Sequence, residues 1–76
     1  MLVSVVYINE SAQSWIEIKV EENCTAKEAI HKSGLLLQHP EIDLTRMKIG
    51  IFGKFTKADS ILQEGDRVEI YRPITR

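Results

Sequence analysis

The feature that most restricts the fold of this sequence is a series of short segments rich in β-branched residues, most of which alternate between apolar and polar side chains. Residues 2–8 and 14–20 are two of them, and the polar residues 9–13 separate them. A period of two puts the apolar side chains on one face of a strand, so this pair predicts a β-hairpin. Residues 47–52 and 67–72 alternate in the same way and predict two more strands.

One helix is predicted between the two pairs of strands. Thr25 and Glu28 have the spacing of a capping box, in which each side chain accepts a hydrogen bond from the backbone of the other. Gly34 stands where a left-handed residue commonly ends a helix. We therefore expect a short helix of about residues 25–33.

The connections are predicted to contain little regular structure. Residues 35–37, three leucines, are expected to form an irregular turn under the sheet, residues 41–44 a single 3₁₀ turn, and residues 54–62 a mixed connection. The order is then ββαββ in one domain, residues 1–76. One helix packed on one face of a four-stranded mixed sheet buries these apolar faces economically, which is an α+β fold of the β-grasp type. Its first and last strands would lie side by side in the centre.

A single helix covers only one face of the sheet, so the other face must meet water or another molecule. Alternation along each strand assigns side chains to the two faces. The covered face is predicted to hold Val3, Val5, Tyr7, Ile16, Ile18, Val20, Met47, Ile49, Ile51, Val68 and Ile70. The open face is predicted to hold Ser4, Val6, Ile8, Trp15, Glu17, Lys19, Lys48, Gly50, Phe52, Arg67, Glu69 and Tyr71.

The apolar members of the open face are the candidate partner-binding residues. With two arginines at their rim, they are Val6, Ile8, Trp15, Phe52, Arg67, Tyr71 and Arg72. An apolar patch with a charged rim is typical of a docking site, and Trp, Tyr and Arg are enriched at binding hot spots. The alternative is that these residues stabilise the sheet through cross-strand pairs. A contact between two copies of the chain would use the same surface.

Three segments resemble one known family. They are Gly-Asp-Arg-Val-Glu-Ile-Tyr-Arg-Pro-Ile at residues 65–74, Lys-Ile-Gly-Ile-Phe at 48–52 and Thr-Ala-Lys-Glu-Ala-Ile at 25–30. On these segments the chain resembles the RnfH family. The resemblance implies a ubiquitin-like β-grasp fold, related to bacterial sulfur-carrier proteins, and an association with the Rnf electron-transport system. It implies no activity of its own, since a fold does not settle a function.

The chemistry of related β-grasp proteins is not expected here. Sulfur carriers end in Gly-Gly, whereas residues 73–76 are Pro-Ile-Thr-Arg. A [2Fe–2S] cluster needs four protein ligands, and Cys24 is the only cysteine. Cys24 is predicted to be a half-buried apolar residue rather than a nucleophile, and His39 a turn residue. Together with His31 they lack the spacing of a metal site, so we expect no metal, no cofactor and no enzymatic activity.

Charge and hydropathy restrict the partners. Ten Lys and Arg residues against eleven Asp and Glu give a net charge of −1, which argues against a nucleic-acid-binding domain. No apolar stretch approaches the ~20 residues that span a bilayer. We therefore expect a cytoplasmic protein. A basic stripe is expected to be a solvated rim and consists of Lys48, Lys54, Arg67, Arg72 and Arg76.

The sequence favours a noncatalytic protein-interaction module that docks through the open sheet face or through a sheet edge. The second hypothesis is an accessory component of a redox or sulfur-transfer assembly. RNA or ribosome contact through the basic rim is the least favoured of the three.

Overall fold

The structure is a computed structural model that describes residues 1–8 and 13–71, in which two short helices accompany five strands. In chain order the elements are β1 (Leu2–Ile8), β2 (Gln13–Lys19), α1 (Ala26–Ser33), α2 (Leu35–Gln38), β3 (Lys48–Ile51), β4 (Lys54–Thr56) and β5 (Arg67–Tyr71).

The strands form one mixed sheet in the order β2-β1-β5-β3-β4. β1 and β5 are parallel neighbours, and the other three pairings are antiparallel. The first and last strands therefore lie side by side, as the sequence predicts. The expected α+β arrangement is confirmed, with helix α1 packed on one face of the sheet.

The sheet has five strands, so the prediction of four is wrong. The additional strand is β4, which lies in the segment expected to be a mixed connection. It pairs with β3 through a two-residue turn of Phe52 and Gly53, whose φ angles are 50° and 83°. Two successive positive φ angles give a turn whose twist matches that of a β-hairpin. A strand of three residues is too short for alternation to reveal it.

Helix α1 begins and ends as predicted. Thr25 Oγ1 accepts a hydrogen bond from the Glu28 backbone N–H at 3.2 Å, and Glu28 Oε1 accepts one from the Thr25 N–H at 3.1 Å. These two bonds satisfy backbone donors that the first turn of a helix leaves without partners. Gly34 ends the helix with a φ angle of 80°. Ala26, Ala29 and Ile30 are fully buried against the sheet.

Two smaller predictions are corrected after this helix. The three leucines form the short helix α2 instead of an irregular turn, because the carbonyl of Gly34 accepts from the Leu37 and Gln38 N–H groups. Only Leu35 of the three is fully buried, and Leu37 is exposed. Residues 41–44 are not a 3₁₀ helix. They join two turns, in which the Ile42 N–H donates to His39 and the Arg46 N–H to Asp43.

The core lies between helix α1 and the covered face of the sheet. Every residue predicted for that face is either buried in this core or packed against it. Leu35, Ile42 and Leu62 extend it beyond the strands. Within residues 1–8 and 13–71, no helix is long and apolar enough to cross a membrane.

Candidate protein-docking surface

The open face of the sheet carries exposed aromatic side chains. Trp15 and Phe52 are each 55% exposed, and Phe55 is 70% exposed, whereas Tyr71 is half-buried. Trp15 lies on the edge strand β2, Tyr71 on the interior strand β5 and Phe55 on the opposite edge strand β4. These four aromatic residues are called the aromatic face below.

Arg67 connects two of these rings. The guanidinium carbon of Arg67 lies 5.3 Å from the ring centroid of Trp15 and 5.2 Å from that of Phe52. Both distances are within the range of cation–π attraction, which favours a guanidinium stacked on an aromatic ring. The guanidinium of Arg67 therefore links the edge strand β2 to the β3–β4 turn on the open face.

Glu69 contacts Arg67, Tyr71 and the β3–β4 turn from beneath the exposed rings. Its Oε1 accepts a 2.5 Å hydrogen bond from the Tyr71 hydroxyl and a 2.8 Å bond from the Gly53 N–H. Its Oε2 lies 3.3 Å from Arg67 Nε, and the Glu69 side chain is only 12% exposed. One largely buried carboxylate thus fixes Tyr71, the β3–β4 turn and Arg67 together.

The contact between Arg67 and Glu69 is ionic rather than a directed hydrogen bond. Arg67 Nε is buried, and its N–H has no hydrogen-bond partner among residues 1–8 and 13–71, although Glu69 Oε2 is 3.3 Å away. The N–H is therefore not aimed at the oxygen. The attraction between the two opposite charges still offsets part of the cost of burying them.

The Tyr71 hydroxyl is held in its neutral form. Its hydrogen bond to Glu69 is the main reason that the pKa of Tyr71 is raised to about 12, with partial burial and the charge of Glu69 acting in the same direction. A donated hydrogen bond stabilises the protonated phenol, because a phenolate could only repel the carboxylate. The Tyr71 hydroxyl therefore already donates its proton to Glu69 and does not offer it to a partner.

Gly50 makes room for the Tyr71 ring. A Cβ atom at position 50 would lie 2.9 Å from both Tyr71 Cε2 and Tyr71 Oη, and 2.7 Å from the Lys54 carbonyl oxygen. Tyr71 also meets Phe55 edge to face, with ring centroids 5.6 Å apart. The Lys48 ammonium lies 5.1 Å from the Phe55 centroid. The aromatic face thus continues from β5 to the β4 edge.

The structure brings together four of the predicted candidate residues. Trp15 and Phe52 meet Arg67, which reaches Tyr71 through their common neighbour Glu69. Ile8 is exposed at the end of β1, next to Tyr71 in the strand register. Arg72 lies outside the described residues.

Val6 is on the predicted face, but the expectation that it forms part of an exposed patch is wrong. It is 1% exposed. The reason is its place on an interior strand, where Trp15 on β2 and Glu69 on β5 are its direct neighbours. Side chains opposite one another on a sheet lie close together, and these two neighbours are large. Val6 is therefore covered by its neighbours on the same face.

Two residues of this surface are absent from the predicted candidates. Phe55 falls in the unrecognised strand β4, where it lies opposite Gly50 and hence on the open face. Glu69 was assigned to the open face as one of its polar residues, and nothing in the strand pattern distinguishes it. Glu69 lies between Val68 and Ile70, which both face the core, so alternation predicts that Glu69 lies on the open face. Alternation does not predict the hydrogen bonds that Glu69 accepts.

The basic stripe is divided between the two faces. Lys48 lies opposite Tyr71 on the open face, whereas Lys54 lies opposite Ile51, which packs against the core. Residues directly opposite one another in a ladder share a face. Lys48 and Lys54 therefore project on opposite sides of the sheet, and Arg72 and Arg76 lie outside the described residues.

Cys24 and His39 lie on the covered side of the sheet, away from the aromatic face. Burial is the main cause that raises the pKa of the Cys24 thiol, which opposes formation of a reactive thiolate. His39 packs edge to face on Tyr7, with ring centroids 4.8 Å apart. Its Nε2 is 3.0 Å from Ser14 Oγ, and its Nδ1 is 3.5 Å from Glu41 Oε2. His39 thus ties the loop after α2 to the sheet.

Comparison with known sequences identifies close relatives over the whole chain. The family profile described as "RnfH family Ubiquitin" matches residues 1–76. A protein named RnfH from Paramagnetospirillum magneticum is 57% identical over 75 residues, which cover 99% of this chain and 77% of the relative. The RnfH protein of Azotobacter vinelandii is 49% identical over 76 residues, which cover 100% of this chain and 88% of the relative.

Comparison with solved structures supports the fold. The crystal structure of SAMP1 from Haloferax volcanii superposes with a TM-score of 0.74 and covers 100% of this chain and 99% of SAMP1, at 12% sequence identity. A likeness at this identity shows the ubiquitin-like β-grasp fold alone.

Proposed function

This chain belongs to the RnfH family of ubiquitin-like proteins, and we propose that it is a noncatalytic protein-binding domain that docks through its aromatic face. The observation that carries the proposal is the side-chain network beneath that face. Exposed rings of Trp15 and Phe52 are bridged by one guanidinium, which a largely buried carboxylate holds in turn.

The physical basis of the proposal is preorganisation. An exposed aromatic ring that is already fixed by its neighbours loses little conformational freedom on binding, so more of its contact energy appears as affinity. Aromatic and arginine side chains are also those on which binding energy is most often concentrated. Trp15 and Phe52 combine both properties, because Arg67 contacts both rings in the unbound protein.

The proposed location of this domain is the cytoplasm. Cys24 is a free and buried thiol, which suits a reducing compartment.

Affinity capture with matched variants tests the proposal. The full chain, Trp15→Ala, Phe55→Ala and Leu37→Ala would each be immobilised and exposed to a native lysate of the source organism. Leu37 is the control, because it is an exposed large apolar residue on α2, away from the aromatic face. We expect one protein to be retained by the unmodified chain and by Leu37→Ala but lost from the other two. Equal retention by all four chains would contradict docking through the aromatic face.

A further inference from the structure

We propose that Arg67 is the specificity residue of the aromatic face and binds a carboxylate of an acidic segment in the partner protein. This inference rests on the proposed docking function and names the chemistry of the partner. The segment would carry an Asp or Glu side chain beside a large apolar side chain. The carboxylate would meet the guanidinium while the apolar group packs on the rings of Trp15 and Phe52.

The first observation is that the outer end of Arg67 has no hydrogen-bond partner among residues 1–8 and 13–71. Its Nε is buried beside Glu69, whereas the side chain as a whole is 34% exposed. Neither terminal nitrogen donates a hydrogen bond to any residue in the described part of the chain, and neither is buried. The polar atoms that Arg67 offers to solvent are therefore these two nitrogens, which form the fork that binds carboxylates with two parallel hydrogen bonds.

The second observation is that the fork is held rigidly. The guanidinium lies between two rings, 5.3 Å from one centroid and 5.2 Å from the other. An ordinary surface arginine loses side-chain freedom when it pairs with an anion, and that loss cancels much of the gain. The two ring contacts restrict the Arg67 side chain in the unbound protein, so less freedom remains to be lost when a partner carboxylate binds.

The third observation is the distribution of charge on this face. The cations Arg67 and Lys48 both lie against aromatic rings, and the carboxylate of Glu69 is turned inward and 12% exposed. The protein as a whole has a net charge of −1. Glu17 on β2 is an exposed acidic residue of the open face, so the cations are concentrated beside the aromatic rings rather than over the whole face. The complementary surface is anionic and apolar, and complementarity of this kind decides which partner binds.

Selection from a displayed library of random twelve-residue peptides on the purified full chain tests this inference. We expect the selected peptides to be enriched in an Asp or Glu next to a large apolar residue. A selected peptide should bind Arg67→Gln about tenfold more weakly or worse, which corresponds to loss of a charged hydrogen-bonded contact. Arg67→Lys keeps the charge but not the fork, so it should bind more weakly than the unmodified chain.

A charge exchange makes the test specific. Arg67→Glu should fail to bind the selected peptide and should recover binding when the acidic residue of that peptide is replaced by arginine. Far-ultraviolet circular dichroism of each variant would show that the fold is retained, and Lys19→Gln provides a control cation on the edge strand β2. Lys19→Gln should bind the selected peptide as the unmodified chain does.

The other outcomes separate this inference from the proposed function. Selected peptides that need Trp15 but show no acidic preference, and that bind Arg67→Gln normally, would overturn the role of Arg67 and leave the docking function intact. Peptides that bind Arg67→Gln and Trp15→Ala equally well would contradict both. Binding of an RNA oligonucleotide in place of any peptide would overturn the inference in favour of a phosphate ligand.

Discussion

The hydroxyl of Tyr71 donates a 2.5 Å hydrogen bond to the carboxylate of Glu69, two residues earlier on the same strand. Successive side chains alternate between faces, so residues two apart stand side by side on one face. This bond connects the β4 side of the aromatic face, where Tyr71 meets Phe55, to the β2 side, where Arg67 meets Trp15. It joins the two halves of the surface, together with the contacts that Glu69 and Arg67 make with the β3–β4 turn.

Replacing Tyr71 by phenylalanine should change how stability depends on high pH. The pKa of Tyr71 is raised to about 12 in the folded protein, whereas an unfolded tyrosine titrates near 10. A group with a raised folded pKa contributes its full stability below the unfolded pKa and loses it as the pH rises through the folded pKa. The unmodified chain should therefore lose stability between about pH 10 and pH 12 more steeply than Tyr71→Phe.

Urea unfolding at a series of pH values measures this difference. Below pH 10 we expect Tyr71→Phe to be less stable by about 1 kcal/mol, the usual size of a lost hydrogen bond. Tyr7 is present in both proteins, so its titration cancels in the comparison. Parallel pH profiles for the two proteins would show that Tyr71 does not hold its proton through Glu69.

Replacing Gly50 by alanine should push Tyr71 out of place. The added Cβ would lie 2.9 Å from two atoms of Tyr71 and 2.7 Å from the backbone oxygen of Lys54, which cannot move without opening the β3–β4 hairpin. Overpacking of this kind costs about 1–3 kcal/mol. The pKa of Tyr71 should also fall, because its hydrogen bond to Glu69 would be lost.

Gly65→Ala is the matched control for this prediction. Gly65 has a φ angle of 85° and no atom within 4 Å of an added Cβ, so alanine there strains the backbone without touching Tyr71. Both variants should be destabilised in urea unfolding, but only Gly50→Ala should lower the Tyr71 pKa in a spectrophotometric titration. An unchanged Tyr71 pKa in Gly50→Ala would mean that Gly50 is not required by the ring.

Removing the N-cap of α1 should destabilise the protein and change one titration. Thr25→Ala removes the oxygen that accepts from the Glu28 N–H, which typically costs about 1 kcal/mol. The backbone N–H of Thr25, which alanine keeps, is the main cause that lowers the pKa of Glu28, and the Thr25 hydroxyl is the second. Loss of the hydroxyl should therefore raise this pKa only part of the way toward its ordinary value. Thr25→Ser keeps the oxygen and should leave both quantities near their original values, as measured by urea unfolding and by NMR titration of Glu28.

The fold could be predicted wherever the types of residues close together in the sequence determine the structure. Alternation along the strands assigned the covered-face residues correctly, because a side chain can leave a strand on only two sides. The limits of α1 followed from Thr25, Glu28 and Gly34, whose roles depend on backbone groups within one turn. Neither inference needed knowledge of distant contacts.

The candidate surface could be predicted only in part, because strand pattern gives the face of a residue and not what lies over it. Val6 was assigned to the correct face but is covered by Trp15 and Glu69. The role of Glu69 depends on the turn that brings the Gly53 N–H within 2.8 Å, and that turn lacks the Asn-Gly sequence that usually marks one. Phe55 was missed together with β4 for the same reason.

The most direct measurement of docking through the aromatic face is an NMR titration of isotopically labelled protein with the partner isolated by affinity capture. We expect the largest shifts at the indole N–H of Trp15 and at the backbone amides of Phe52, Phe55 and Tyr71, with little change along α1 and α2. Shifts concentrated on the helices, with the Trp15 indole unchanged, would contradict the assignment of this face as the binding surface.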